Sequence, residues 1–382
     1  MKHLYLFEEA TGNAAVFGVG TYIKNLLSVL KEEDIKITVC RTIGSHTELD
    51  ITYDQTIRYI HIPAPADRYA DKRDYYTNVF FVVYPFIDKD EKNVFHFNYL
   101  NCSKIAGLLK QHTHAKILLT IHYRQLSTSE NKDAEREFVN EYCDKIIVLS
   151  RHAYVSLLND FSVNPEKIMI IPNGIEDRFE WMHKDELQNI REYFNISPNE
   201  KVITFAGRLD ANKNISVLIR AFLQVEKTDK SIRLVIAGTG DFSSAFSAIS
   251  HSWGKITFTG FLNKQDLYKL YQITDLGVIP SVYEEFGYVA VEMMMHQIPV
   301  IANDTSGLAE IIENNISGKL VNIFSKKTER QAVITLSDSI EKMLTNKHVC
   351  LQMGINGRKC FLENYEISLF KKEMIKLYNT LF

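Results

Sequence analysis

The chain has 382 residues, enough for two domains that each bury a substantial core. Its hydrophobic content of 46%, charged content of 24% and formal net charge of -3 describe an ordinary globular protein, so neither a polycation suited to nucleic acid nor a disordered acidic chain is expected. Five cysteines, at positions 40, 102, 143, 350 and 360, form no close pair, which argues for reduced thiols and against a disulfide framework or a zinc site.

Taken in chain order, the first apolar run is residues 4–7, and Glu8 and Glu9 follow it at once, which suits a first strand rather than a secretory leader. Runs at 35–40, 57–62, 94–97, 117–121 and 146–149 alternate with helical patterns, the signature of a parallel, doubly wound α/β sheet. Residues 168–171 form another apolar run that stops at Pro172, Asn173 and Gly174, a turn suited to a hinge. A second series follows at 202–206, 233–237, 256–259, 276–279, 300–302 and 319–321, predicting a second sheet of the same kind. The expected domains are therefore 1–172 and 173–360, both Rossmann-like, followed by a C-terminal helix within 361–382. That helix carries Phe370, Met374, Leu377, Tyr378 and Leu381 at three- and four-residue spacing, an apolar face expected to pack back onto the N-terminal domain. A membrane surface is the alternative partner for it. No run approaches the roughly eighteen apolar residues of a membrane span, so a cytoplasmic protein is expected, with peripheral attachment at the inner face of the membrane as the alternative. Open α/β sheets bind ligands at the carboxyl ends of their strands, which places function in a cleft that the two sheets face.

Several segments sit at such strand ends. Gly18 and Gly20 follow the first strand and open an amphipathic helix, where backbone could approach an anion. His122 directly follows the run 117–121 and could donate to a sugar hydroxyl; a structural histidine is the plainer alternative, and His96 ranks behind it. Arg208 and Lys213 project from the loop after 202–206. Two cations there oppose the dipole of the following helix, a mismatch that a diphosphate would resolve. Gly238 and Gly240 close another strand, consistent with backbone running beside a nucleotide base. Between the run 276–279 and an apolar helix at 289–295 lies a loop with Glu284, Glu285, Phe286, Gly287 and Tyr288. Amides of Phe286, Gly287, Tyr288 and Val289 at this helix start could bind phosphate. Eight residues at 3.6 per turn would set Glu284 and Glu292 about 80° apart on one side of the helix, one carboxylate meeting a sugar and the other a ribose. Taken alone, these acids read equally well as solvated surface. Asp88 and Asp90 match the aspartate spacing of metal-assisted sugar transfer, yet stand in a charged run without a strand end and read as solvated.

In this order the segments resemble the retaining GT-B glycosyltransferases of family 4, also called glycosyl transferases group 1. The resemblance runs through the Gly18 loop, His122, Ile171 to Gly174, Gly207 and Arg208 with Lys213, Gly238 to Gly240, Pro280 and Ser281 with Glu284 and Glu292, and the segments 299–302 and 306–310. It implies that Gly18, Arg208, Lys213 and the amides from Phe286 to Val289 hold the donor diphosphate. It also implies that Gly238 lies by the nucleotide, that His122 and Glu284 contact the transferred sugar, and that Glu292 binds the ribose. No metal or other cofactor is expected, because cations and amides take the developing charge. The partners implied are a nucleotide-sugar donor, bound by the second domain, and a glycan, glycolipid or other hydroxyl acceptor, bound by the N-terminal domain with loops 68–76 and 123–133. Departures from the family pattern are Phe17 before Gly18, Glu285 in place of a glycine, Met293 after Glu292, and Tyr123 after His122. A GT-B nucleotide-sugar epimerase and a non-catalytic glycosyltransferase-like binding subunit are the competing readings. The base, the sugar, the acceptor and the oligomeric state are not legible in the sequence.

Overall fold

The computed structural model describes residues 1–9, 18–44, 46–64, 72–122, 129–249, 253–323 and 328–382. Half of the two loops assigned to the acceptor, together with Phe17 and Tyr123, therefore lies outside the described residues. The chain divides into two compact units: unit 1 comprises Met1–Gly174 with Ile367–Phe382, and unit 2 comprises Ile175–Glu366.

Unit 1 contains β1 (Lys2–Glu9), α1 (Gly18–Leu30), β2 (Lys36–Thr42), β3 (Asp50–Asp54), β4 (Ile57–His61), α2 (Lys72–Val83), β5 (Lys92–Phe97), α3 (Ser103–His112), β6 (Lys116–Ile121), α4 (Ser129–Glu137), β7 (Lys145–Val148), α5 (Arg151–Phe161) and β8 (Ile168–Ile170). Its eight strands run in the order β3-β4-β2-β1-β5-β6-β7-β8. All neighbours are parallel except β3 with β4. Strand periodicity sends Leu4 and Leu6 to one face and Tyr5 and Phe7 to the other, and both faces are covered, which explains the continuous apolar runs. On the Leu4 face the C-terminal helix Ile367–Leu381 packs beside α1, burying Phe370, Met374, Leu377, Tyr378 and Leu381. Each such side chain contributes roughly 1.5–3 kcal/mol relative to exposure.

Unit 2 contains α6 (Lys184–Tyr193), β9 (Lys201–Ala206), α7 (Ile215–Glu226), β10 (Ile232–Ala237), α8 (Ser243–Ala248), β11 (Ile256–Gly260), α9 (Lys264–Gln272), β12 (Leu276–Ile279), α10 (Tyr288–Met295), β13 (Val300–Asn303), α11 (Ser306–Ile311), β14 (Lys319–Val321), α12 (Glu329–Thr345) and α13 (Lys347–Asn364). Its sheet order is β11-β10-β9-β12-β13-β14. Renumbered within the unit this is 3-2-1-4-5-6, the Rossmann order, with its reversal between β9 and β12. Residue 361 lies within α13, and the helix that belongs to unit 1 begins six residues later, at Ile367.

Candidate active site

The loops leaving β9 and β12 carry most of the expected donor residues. The chain leaves β9 toward β10 on one side and leaves β12 toward β13 on the other, so these two loops border the crevice where such sheets bind ligands. Asn212 ties the loops together. Its Nδ2 donates to the Tyr283 carbonyl at 2.8 Å, its Oδ1 accepts from the Tyr283 amide at 3.0 Å, and its own carbonyl accepts from the Val282 amide at 2.8 Å. Asp210 caps the short turn Ala211–Lys213 within the loop after β9 by accepting from the Lys213 amide at 3.2 Å.

Arg208 is exposed, with Nη2 3.2 Å from Asp210 Oδ2. Lys213 is held more tightly, its ammonium paired with Glu284 Oε1, which also accepts from Ser281 Oγ at 2.8 Å. The backbone of Glu284 is fixed as well. Its amide donates to Ser306 Oγ at 3.0 Å, and its carbonyl accepts from Ser306 Oγ at 2.7 Å and from the Gly307 amide at 2.8 Å. A Cβ on Gly307 would stand 2.3 Å from the Glu285 carbonyl oxygen, so the start of α11 lies directly against this loop. Glu285 is buried and accepts from the Tyr283 hydroxyl, which takes the additional acid out of solvent.

Gly287 caps α10 with φ of 88°, a left-handed conformation that favours glycine. Tyr288 and Val289 are then the first two residues of α10, whose amides have no acceptor within the helix. Phe286 is buried edge-on against Tyr288 and Tyr365. The helical phase expected between Glu284 and Glu292 does not hold, because residues 284–287 precede the helix. Glu292 is instead buried within α10 and paired with Lys264, at the start of α9. Around it, burial and then the Glu292 charge push the Tyr268 and Tyr271 phenols up. The Tyr271 hydroxyl and His296 Nε2 are buried without a hydrogen-bond partner among the described residues.

Gly238 has a packing reason of its own. Its φ is 152°, and a Cβ there would stand 1.8 Å from the Gly207 carbonyl oxygen, so the close approach of the β9 and β10 ends by itself requires glycine.

Gly18 and His122 belong to unit 1. Gly18 is exposed as the first residue of α1. His122 is half-buried just past β6, its Nε2 2.9 Å from Asn98 Oδ1, with burial pushing its pKa down to about 3. His96 is fully buried in β5 between the Tyr378 hydroxyl and Thr120 Oγ1, each at 2.7 Å, a structural position. Asp88 and Asp90 are exposed.

Sequence reasoning passed over Asn98, Asn212 and Lys264, and gave Ser281 and Ser306, which lie in segments of the family resemblance, no role of their own. Each lies within a few residues of a strand end or helix start, the signal by which they could have been found. Among the described residues no group of three or more His, Cys, Asp or Glu side chains is placed to hold a metal ion, and no helix is long and apolar enough to cross a membrane.

Two Rossmann-like units, the second with its charged residues at the reversal of strand order, define the GT-B class of α/β proteins. Solved structures agree on the fold. Sucrose-phosphate synthase from Thermosynechococcus elongatus matches with a TM-score of 0.82 at 20% identity, covering 100% of this chain and 99% of that one. HepE from Anabaena, in complex with UDP and glucose, matches with a TM-score of 0.78 at 14% identity, covering 100% of both chains. A family profile described as Glycosyltransferase Family 4 matches residues 16–179, and one described as Glycosyl transferases group 1 matches residues 187–360. Together they leave only the ends and a short junction uncovered, and the chain belongs to the family 4 glycosyltransferases. An uncharacterized glycosyltransferase of Methanocaldococcus jannaschii is 30% identical over 242 residues, which are 61% of this chain and 59% of that relative's length.

Proposed function

We propose that the chain transfers a sugar from a nucleoside-diphosphate sugar to a hydroxyl of a glycan, glycolipid or similar acceptor, with retention of anomeric configuration and without a metal. The observation that carries this reading is the Lys213–Glu284 pair at the strand reversal of unit 2, three residues before the glycine-capped start of α10. With donor bound, Lys213 turns to the diphosphate beside Arg208 and the first amides of α10, which together stabilise the charge that develops as the bond from the anomeric carbon to phosphate breaks. Glu284, released, accepts from sugar hydroxyls, while Glu292 accepts from the ribose. The acceptor oxygen bonds to the anomeric carbon on the face the phosphate leaves, and its proton passes to the departing phosphate oxygen. The solved complex of HepE with UDP and glucose supports testing UDP first.

A nucleotide that binds the native state raises its apparent stability. Thermal melts with UDP, GDP and ADP, followed by assays of the matching sugar donors with and without EDTA, test the proposal. One diphosphate should raise the melting temperature, and its sugar conjugate should be consumed equally well in EDTA. No stabilisation by any of the three, with no donor consumed, would sink the reading.

A further inference from the structure

Asn98 stands 3% exposed just past β5, at the reversal of strand order in unit 1, with β1 on one side and β6 on the other. Its Nδ2 is 3.0 Å from the Phe7 carbonyl oxygen in β1. A carbonyl oxygen only accepts, so the amide nitrogen faces β1 and Oδ1 faces β6, where it lies 2.9 Å from His122 Nε2. Oδ1 carries no proton, so the proton in that contact sits on Nε2. The imidazole is also held from the side. The Tyr22 ring meets it edge-on at 4.5 Å between centroids, and the Tyr22 hydroxyl lies 3.0 Å from Thr120 Oγ1, which is itself 2.7 Å from His96 Nε2.

We infer that Asn98 is a positioning residue that fixes His122 as its Nε2–H tautomer, so that His122 meets the transferred sugar through Nδ1, as a hydrogen-bond acceptor. Burial keeps the ring neutral, which leaves the Nδ1 lone pair available. The sugar contact rests on the donor reading proposed above; the tautomer does not. This reverses the donating role that the position of His122 at a strand end suggests, because the ring's one proton is committed to Asn98. A sugar hydroxyl must then supply the hydrogen, which a fluorine in its place cannot do.

The full chain labelled with nitrogen-15 in histidine reports the tautomer in long-range proton–nitrogen spectra, with His122→Gln assigning the signal. At mildly alkaline pH, wild type should show Nε2–H alone. Asn98→Asp keeps the accepting oxygen and should keep that tautomer, whereas Asn98→Leu should populate both. A proton on Nδ1 in wild type, or an unchanged tautomer in Asn98→Leu, overturns the inference. If Asn98→Leu does not fold, wild type and Asn98→Asp still decide. Because no substrate is needed, this failure is distinct from failure of the sugar-transfer reading, which the nucleotide melts report. With UDP-glucose as probe, replacing the hydroxyl that His122 reads by hydrogen or by fluorine should weaken binding equally, and fluorine that retains binding overturns the acceptor role.

Discussion

Units 1 and 2 both reverse strand order beside their first strand, at β1–β5 in one and β9–β12 in the other, yet they furnish that point differently. In unit 1 the amide of Asn98 and the imidazole of His122 share a hydrogen bond there, with the Tyr22 ring edge-on to the imidazole, while Glu8 at the end of β1 pairs with Arg41 and Glu9 accepts from Tyr76 and Asn101. In unit 2 the residues there are ionic and half-exposed, with Lys213 on Glu284 and Arg208 on Asp210. The same topology thus carries a hydrogen-bonded amide and imidazole in one unit and the Lys213–Glu284 and Arg208–Asp210 pairs in the other. The difference lies in loops of a few residues, since the sheets need only apolar runs.

The largest test of this contrast removes the charge. Replacing both Arg208 and Lys213 by alanine should lower kcat on the cognate donor about 100- to 1,000-fold, by analogy with loss of preorganised charge stabilisation, with little change in thermal melting. Wild-type turnover by a folded double variant would end the assignment. Next, Gly238→Ala should destabilise unit 2 by more than about 3 kcal/mol in urea titration, because the new Cβ meets backbone that no rotamer change can move.

Acid should then separate the units. Burial holds His96 and His122 near pKa 3 and, outweighing Glu91, holds His3 near 4, all in unit 1. Folded values below the unfolded 6.5 mean that this stability is complete above pH 6.5 and is lost as pH falls toward the folded values. Among the described residues unit 2 has one such histidine, His296, near 4, and its buried Glu200 behaves differently. Burial alone would raise Glu200, but hydrogen bonds from Arg233, Lys255 and the Ser197 amide hold it at about 2, so its contribution fades only as pH falls from 4.5 toward 2. Hydrogen exchange should therefore show β5 and β6 losing protection at higher pH than β9 and β10. The smallest effect expected is for Glu292→Gln, which should weaken UDP binding about tenfold in calorimetry, the value of one charge-assisted hydrogen bond.

Much of this fold is legible in the sequence because parallel strands covered on both faces read as unbroken apolar runs. β3 is the exception. Its sequence, Asp50 to Asp54, is polar and largely exposed, and it pairs antiparallel at the sheet edge, so neither apolar content nor βα alternation marks it. In the candidate site, motif order places Arg208, Lys213 and Glu284 on the two loops at the strand reversal of unit 2. Spacing misleads for Glu284 and Glu292, since a left-handed glycine separates loop from helix and breaks the phase. Asn98 escapes notice because its role depends on which atom faces which neighbour, and linear order carries no such information. Glu285 reads as solvent or pocket until the Tyr283 hydroxyl is placed beside it.

The C-terminal helix gives the chain a fixed order of completion. Unit 2 needs nothing beyond residue 366, whereas the core of unit 1 lacks Phe370 to Leu381 until those residues are made. During synthesis the second half can close first, while the first half waits with the apolar face around Tyr22, Leu26 and Val94 uncovered. A chain that ended after Glu366 would hold a finished unit 2 attached to an unfinished unit 1, a fragment for chaperones and proteases to recognise.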